Sequence, residues 1–169
     1  MAVDSFKYLP RMIATFYKMT EREPKLPIPW TPLTKPLSEC KFGLVTSGGF
    51  YQEGVERPFN ITREKEEPTW GDPSYRTIPT QMPQSELGVS QLHINTQHAL
   101  TDMNVLLPIQ QFQELVVNGR IGSLADEHYA VMGFQGFPAD TTIWEKETGP
   151  AIAQKFKQQG VDCVLLTPA

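Results

Sequence analysis

The densest run of side chains able to do chemistry lies between His93 and Asn104: His93, Asn95, His98, Asp102 and Asn104, interleaved with the apolar Leu92, Ile94 and Val105. An imidazole beside a carboxylate exchanges protons with a ligand near neutral pH, and the carboxylate fixes which ring nitrogen carries the proton. His93 with Asp102 is therefore the candidate catalytic acid/base pair, with Asn95 and Asn104 as candidate substrate contacts. Two other readings of these residues stay open. One is a structural hydrogen-bond network; the other is a divalent-metal site through His93, His98 and Asp102. The spacing matches no strong metal signature, and no metal is assigned.

Thr46-Ser47-Gly48-Gly49 forms a second candidate. Glycines let backbone N–H groups, and here a hydroxyl, approach an anionic group such as a carboxylate closely, which makes these four residues a candidate substrate-binding loop. The stretch is neither a dinucleotide fingerprint nor a P-loop, and a bare tight turn is the alternative. His128, in a region punctuated by Gly122 and Gly133, is a further candidate substrate contact, the alternative being a histidine of the core or surface. Cys40 and Cys163 are far apart in the chain and form no Cys-x-x-Cys pair, so both are expected to be reduced, structural thiols. An isomerase or racemase using them as acid and base requires the thiols to face each other across a ligand, which their expected positions disfavour.

These residues must be held by elements. The runs Cys40–Thr46 and Val161–Thr167 are apolar, and the second directly follows a helical segment, the pattern of buried strands in a parallel sheet. Tyr75–Ile78 and Leu87–Ile94 read as short strands, the latter delivering His93 and Asn95 at its end. Pro108 suits the first turn of a helix closed by Asn118-Gly119, with Phe112, Leu115 and Val116 as its buried stripe. A last helix starts at Thr141 or Thr142, breaks at Gly149-Pro150 and ends at Gly160. The segment from Glu53 to Pro73, centred on Arg63-Glu64-Lys65-Glu66-Glu67, lacks periodicity and reads as a solvated excursion or a lid. Upstream, Phe6, Leu9, Ile13, Phe16 and Tyr17 predict an amphipathic helix, and the prolines from Pro24 to Pro36 an extended arm. The expected architecture is α/β, a mainly parallel sheet flanked by helices, with residues 1–39 as helix and arm and 40–169 as the α/β domain, open to completion by a second chain.

Ligands of such sheets bind beyond the carboxyl ends of the strands. A hydrophobic fraction of 40% and charged fraction of 20% suit a globular domain, and the net charge of -4 without a basic stripe argues against nucleic acid. No basic segment followed by an apolar run stands at Met1-Ala2-Val3-Asp4-Ser5, and no stretch approaches the roughly 18 apolar residues of a membrane span. No membrane partner and a cytoplasmic location are the resulting expectations.

Taken in order, Gly43-Leu44-Val45-Thr46-Ser47-Gly48-Gly49, Tyr75-Arg76-Thr77-Ile78-Pro79, His93 with Asn95, Asp102-Met103-Asn104-Val105, Pro108, Asn118-Gly119-Arg120-Ile121-Gly122-Ser123-Leu124 and Gly160-Val161-Asp162-Cys163-Val164-Leu165-Leu166-Thr167-Pro168 resemble the selenoprotein B family of glycine, sarcosine, betaine and D-proline reductases, over roughly residues 40–169. The resemblance implies a substrate-binding subunit or half-subunit of an oxidoreductase complex. Such a complex cleaves a C–N bond in a small amino acid or related amine, a selenolate or thiolate takes the carbon, and electrons arrive through partner proteins of the thioredoxin type. It also implies that Ser47, Gly48 and Gly49 meet the substrate carboxylate and that His93, Asp102 and Asn104 line the site. In the family the chain continues past the strand matching Val161–Thr167 into a segment bearing selenocysteine or cysteine, and here nothing follows Ala169. A second polypeptide completing the site, a cleaved or truncated chain, and a domain that has lost catalysis are the three readings of that departure. The expectation is thus no cofactor in this chain, with a selenocysteine, cysteine or pyruvoyl group on a protein partner; the alternative is a non-catalytic ligand-binding or assembly domain.

Overall fold

The computed structural model describes residues 10–12, 15, 27 and 30–169. Leu33–Ala169 forms a compact unit of its own, separate from Met1–Pro32. The helix expected over Asp4–Glu23 and much of the proline-rich arm lie outside the described residues.

The strands are β1 (Lys41–Thr46), β2 (Phe50–Gln52), β3 (Tyr75–Pro79), β4 (Leu87–Val89), β5 (Ser123–Leu124), β6 (Glu127–Val131) and β7 (Cys163–Thr167), and the helices are α1 (Ile61–Glu66), α2 (Gln97–Thr101), α3 (Ile109–Val117) and α4 (Gly149–Gln158). β1 is central. It pairs in parallel with β5 and β6 along one side, and with β7 along the other in the register Phe42↔Cys163 to Thr46↔Thr167. β3 closes the sheet antiparallel to β6. A separate antiparallel ribbon joins β2 to β4. The expected α/β class holds, with a sheet that is mostly parallel and mixed at one edge.

Strand alternation sorts side chains into two cores. On one face Leu44, Ile78 and Ala130 pack with Phe50 and Leu87 of the ribbon and with Ala99, Met103, Leu107 and Ile109. On the other, Tyr129 and Val131 lie under Ile152 and Phe156 of α4. A Cβ on Gly43 would come within 2.4 Å of the Phe156 ring, so the bare glycine backbone is what lets α4 settle on β1.

Pro108 caps α3 rather than standing inside it, and Gly119 follows with φ +66, the left-handed geometry that ends a helix. The expected break at Gly149-Pro150 does not occur. A π-helical turn over Trp144–Thr148 runs straight into α4, with the Gly149 N–H bonded to the Trp144 carbonyl. Such a widened turn accommodates a proline without ending the helix, and a Cβ at Gly149 would lie 2.8 Å from the Trp144 oxygen. The strand expected over Leu87–Ile94 is shorter, and His93 sits in the bend after β4. The charged excursion contains α1, whose first turn is capped by Asn60 Oδ1 accepting from Arg63 N at 3.0 Å.

Candidate functional site

The carboxyl ends of β1, β6 and β7 meet the loop after β4. Ser47 is the junction: its N–H donates to the Thr167 carbonyl at 3.1 Å, its carbonyl accepts from Gly133 N at 3.0 Å, and its Oγ accepts from Ala169 N at 2.9 Å. The Gly49 carbonyl accepts from Ser90 N at 2.9 Å, which ties the β4 loop to this junction.

The glycine loop is built differently from the anion cradle expected. Gly48 N donates to Thr46 Oγ1 at 3.1 Å and Gly49 N to the Val131 carbonyl at 3.1 Å, so the amides of Ser47, Gly48 and Gly49 are all engaged within the protein. The glycines serve close packing instead. Gly49 has φ +68, and a Cβ there would stand 2.3 Å from the Ser90 oxygen; one on Gly48 would stand 2.9 Å from Leu106. Thr46 is fully buried, whereas Ser47 is partly exposed and its hydroxyl meets Ala169 N.

His93 is brought to the site by the bend after β4, where its N–H donates to Gln91 Oε1 at 3.2 Å. Its ring lies against Phe134, centroids 4.2 Å apart at 35°. Its Nε2 stands 2.6 Å from Oε1 of Glu64 in α1. The Glu64 side chain is only 2% exposed, whereas that of His93 is 47% exposed. Glu64 Oε2 is buried without a hydrogen-bond partner among the described residues. The ring's carboxylate partner is thus Glu64 and not Asp102. Asp102 Oδ1 instead accepts from Asn104 N at 2.9 Å and Asn104 Nδ2 at 2.8 Å, capping the turn over Met103–Val105. Asn104 continues that local network to Gln110, and Asn95 Oδ1 accepts from Gln97 N at 3.1 Å at the start of α2. Among the described residues, no group of three His, Cys, Asp or Glu side chains is placed to hold a metal ion.

Glu64, Gln91 and Phe134 are the site residues that sequence reasoning missed. Glu64 sat in a charge run read as solvated. Its signal was weak: it stands three positions after Ile61, on the inward face of a helix capped by Asn60.

His128 lies within β6, not in a loop, and is fully buried. Leu44 N donates to its Nδ1 at 3.1 Å, and its Nε2 stands 3.1 Å from Thr80 Oγ1. Burial lowers its pKa to about 4, keeping the ring neutral. It braces β6 between β1 and β3 and has no path to a ligand. The two cysteines approach one another at the amino ends of β1 and β7, away from the Ser47 junction. Burial, with the Cys40 thiol as hydrogen-bonding neighbour, pushes the Cys163 thiol up. The thiols thus meet, against the expectation that their strand positions would keep them apart, but they are in direct contact and do not stand across a ligand from one another.

A groove of about 740 Å³ opens beside Ser47, between β7 and the Trp144–Gln158 helix. Val45, Val131, Trp144, Ile152, Phe156 and Leu166 make it apolar, and Trp144 Nε1 is buried there without an acceptor among the described residues. Val164 and Leu166 on β7 are 46% and 70% exposed. Those walls suit a polypeptide better than a small zwitterion. No helix among the described residues is long and apolar enough to cross a membrane.

Comparison with known proteins places this architecture. The chain is 35% identical over 138 residues to the D-proline reductase subunit gamma of Acetoanaerobium sticklandii, covering 82% of this chain and 52% of that protein. It is 27% identical over 140 residues to the glycine reductase complex component B subunit gamma of Carboxydothermus hydrogenoformans, covering 83% and 30%, and 30% identical over 142 residues to the subunit of that name from Symbiobacterium thermophilum, covering 83% and 31%. The chain therefore spans about half the length of the first of these and about a third of the others. No solved structure matches. The family model for glycine/sarcosine/betaine reductase selenoprotein B matches residues 11–169, nearly the whole chain, and the chain belongs to that family.

Proposed function

We propose that this chain is the substrate-binding part of a reductase complex that cleaves the C–N bond of a small amino acid or related amine. The observation that carries the reading is the half-exposed His93 ring, backed by the buried Glu64 carboxylate and set by Phe134 next to the Ser47 junction. An oriented imidazole at the carboxyl end of a parallel sheet is placed for proton exchange with a ligand nitrogen. Ser47 adds a hydroxyl at that junction, whereas Asn95, Asp102 and Asn104 are engaged in the hydrogen bonds of their own turns. When bound, a selenocysteine, cysteine or pyruvoyl group from a protein partner would supply the nucleophile or electron sink for bond cleavage, and a thioredoxin-type donor would supply the electrons. Support for such a contribution is local: Ala169 N, just past β7, touches Ser47 Oγ, so a polypeptide entering there would meet the Ser47 junction. The partner itself is expected to add a strand to the open side of β7 and to cover the apolar groove, since parallel strands are ordinarily buried on both faces.

The test is amine release from glycine, sarcosine, betaine or D-proline, with a dithiol reductant, by the complex isolated natively with this chain. His93→Gln is expected to lower turnover by about 100-fold or more. Absence of reductive amine release from all four compounds by the intact complex refutes the reading and favours a non-catalytic ligand-binding or assembly domain.

A further inference from the structure

We infer that Glu64 is a positioning residue for proton transfer: it holds His93 in the Nε2-protonated form, so that Nδ1 is the ring atom that exchanges a proton with the ligand. The inference rests on the reading of the carboxyl-end loops as the ligand site and names the group that sets up its acid/base residue.

Three contacts fix the ring. The Gln91 side chain holds the His93 backbone N–H, Phe134 covers one ring face, and Glu64 Oε1 takes Nε2 at 2.6 Å. An ionised carboxylate can only accept, so the proton between them belongs to Nε2 and the lone pair of the neutral ring to Nδ1. Glu64 is almost wholly buried and its second oxygen has no hydrogen-bond partner among the described residues, so His93 is the group its carboxyl holds. A buried carboxylate held this way cannot reach a ligand. It acts through the imidazole, whose side chain is about half exposed. Nδ1 takes a proton from a ligand ammonium, the ring becoming imidazolium beside Glu64, and the reverse transfer returns that proton to the amine nitrogen. This proton exchange balances by itself; breaking the C–N bond would in addition need the nucleophile and the two electrons that the partner proteins of the proposed complex would supply. Asp102, tied to Asn104 by two hydrogen bonds, does not serve this purpose.

The experiment uses the full chain labelled with ¹⁵N-histidine, His93 being assigned by its loss in His93→Gln. Two-bond ¹H–¹⁵N correlation spectra distinguish the ring tautomers, and a carboxylate-bound imidazole N–H appears as a slowly exchanging, far-downfield proton. The expected result is an Nε2–H signal of this kind in the wild type, lost in Glu64→Ala and moved upfield in Glu64→Gln while the ring contacts to Phe134 persist. If Glu64→Ala does not fold, the wild-type spectrum and the isosteric Glu64→Gln carry the test. A His93 ring protonated at Nδ1, or a signal indifferent to Glu64→Gln, overturns the inference. In the native complex, Glu64→Gln is expected to lower kcat by about 100-fold with KM unchanged, and His93→Gln in the same chain to add little, as for residues acting as one unit. A complex without reductive activity whose His93 still shows the Glu64-dependent signal overturns the reductase reading and leaves the positioning role supported.

Discussion

Lowering the pH should destabilise this protein through His128, by an amount that follows from three contacts. Leu44 N donates to Nδ1, so Nε2 carries the ring proton and donates to Thr80 Oγ1, which in turn donates to the Ala125 carbonyl. A proton added to Nδ1 would set donor against donor inside a fully buried site, and burial holds the pKa at about 4 against an ordinary 6.5. The folded value lies below the unfolded one, so the unfolded chain takes up its proton first as pH falls. The contribution is complete above about 6.5 and declines until about 4, below which this group adds nothing more. At 1.36 kcal/mol per pH unit across that window, the loss is about 3 kcal/mol, a large part of the roughly 5–15 kcal/mol that stabilises an ordinary domain. Urea unfolding at a series of pH values spanning the window measures it. Carboxylates titrate in the acid part of the same range, so the comparison is with His128→Asn, which keeps an acceptor for Leu44 N and has no proton to gain. That variant is expected to be less stable at neutral pH, because Thr80 loses its ring contact, yet flatter in its pH dependence by about 3 kcal/mol. Identical slopes in the two proteins, or a His128 ring titrating near 6.5 in the folded state, refute the reasoning.

Gly49→Ala should cost about 2 kcal/mol or more in denaturant unfolding, since a left-handed residue acquires a Cβ 2.3 Å from the Ser90 oxygen; a neutral effect would show that the loop relaxes freely. Phe156→Ala strips the cover from Gly43 and Tyr129 and is expected to cost about 3–5 kcal/mol by the same assay. Leu166→Asp changes a side chain that is 70% exposed, so the isolated chain should keep its stability to within about 0.5 kcal/mol. For the proposed complex, native mass spectrometry should nonetheless show loss of the partner polypeptide, and retention of the partner would remove β7 from the proposed interface.

What the amino-acid sequence determined by itself is local or ordered along the chain. β1 and β7 are continuous apolar runs, the composition of strands in a parallel sheet, although in this unit only β1 has fully buried residues while β7 leaves Val164 and Leu166 exposed. Pro108 and Gly119 bracket α3 through backbone geometry that needs no partner. The ordered blocks point to the family because they survive as a series, whichever partners each residue later finds. Tertiary structure decided everything that depends on which polar groups are buried together. β6 is hidden in the sequence because its histidine looks like a loop residue until Leu44 and Thr80 satisfy both ring nitrogens. The glycine loop looks open to an anion until Thr46 and Val131 take its amides. Glu64 looks like one more solvated charge until α1 folds over the β4 loop and places it against His93, 29 residues away in the chain. Asp102, so much nearer in sequence, is held by the turn it caps. Proximity along the chain suggested the wrong carboxylate because hydrogen bonds form between groups that folding brings within about 3 Å, and sequence distance is no measure of that.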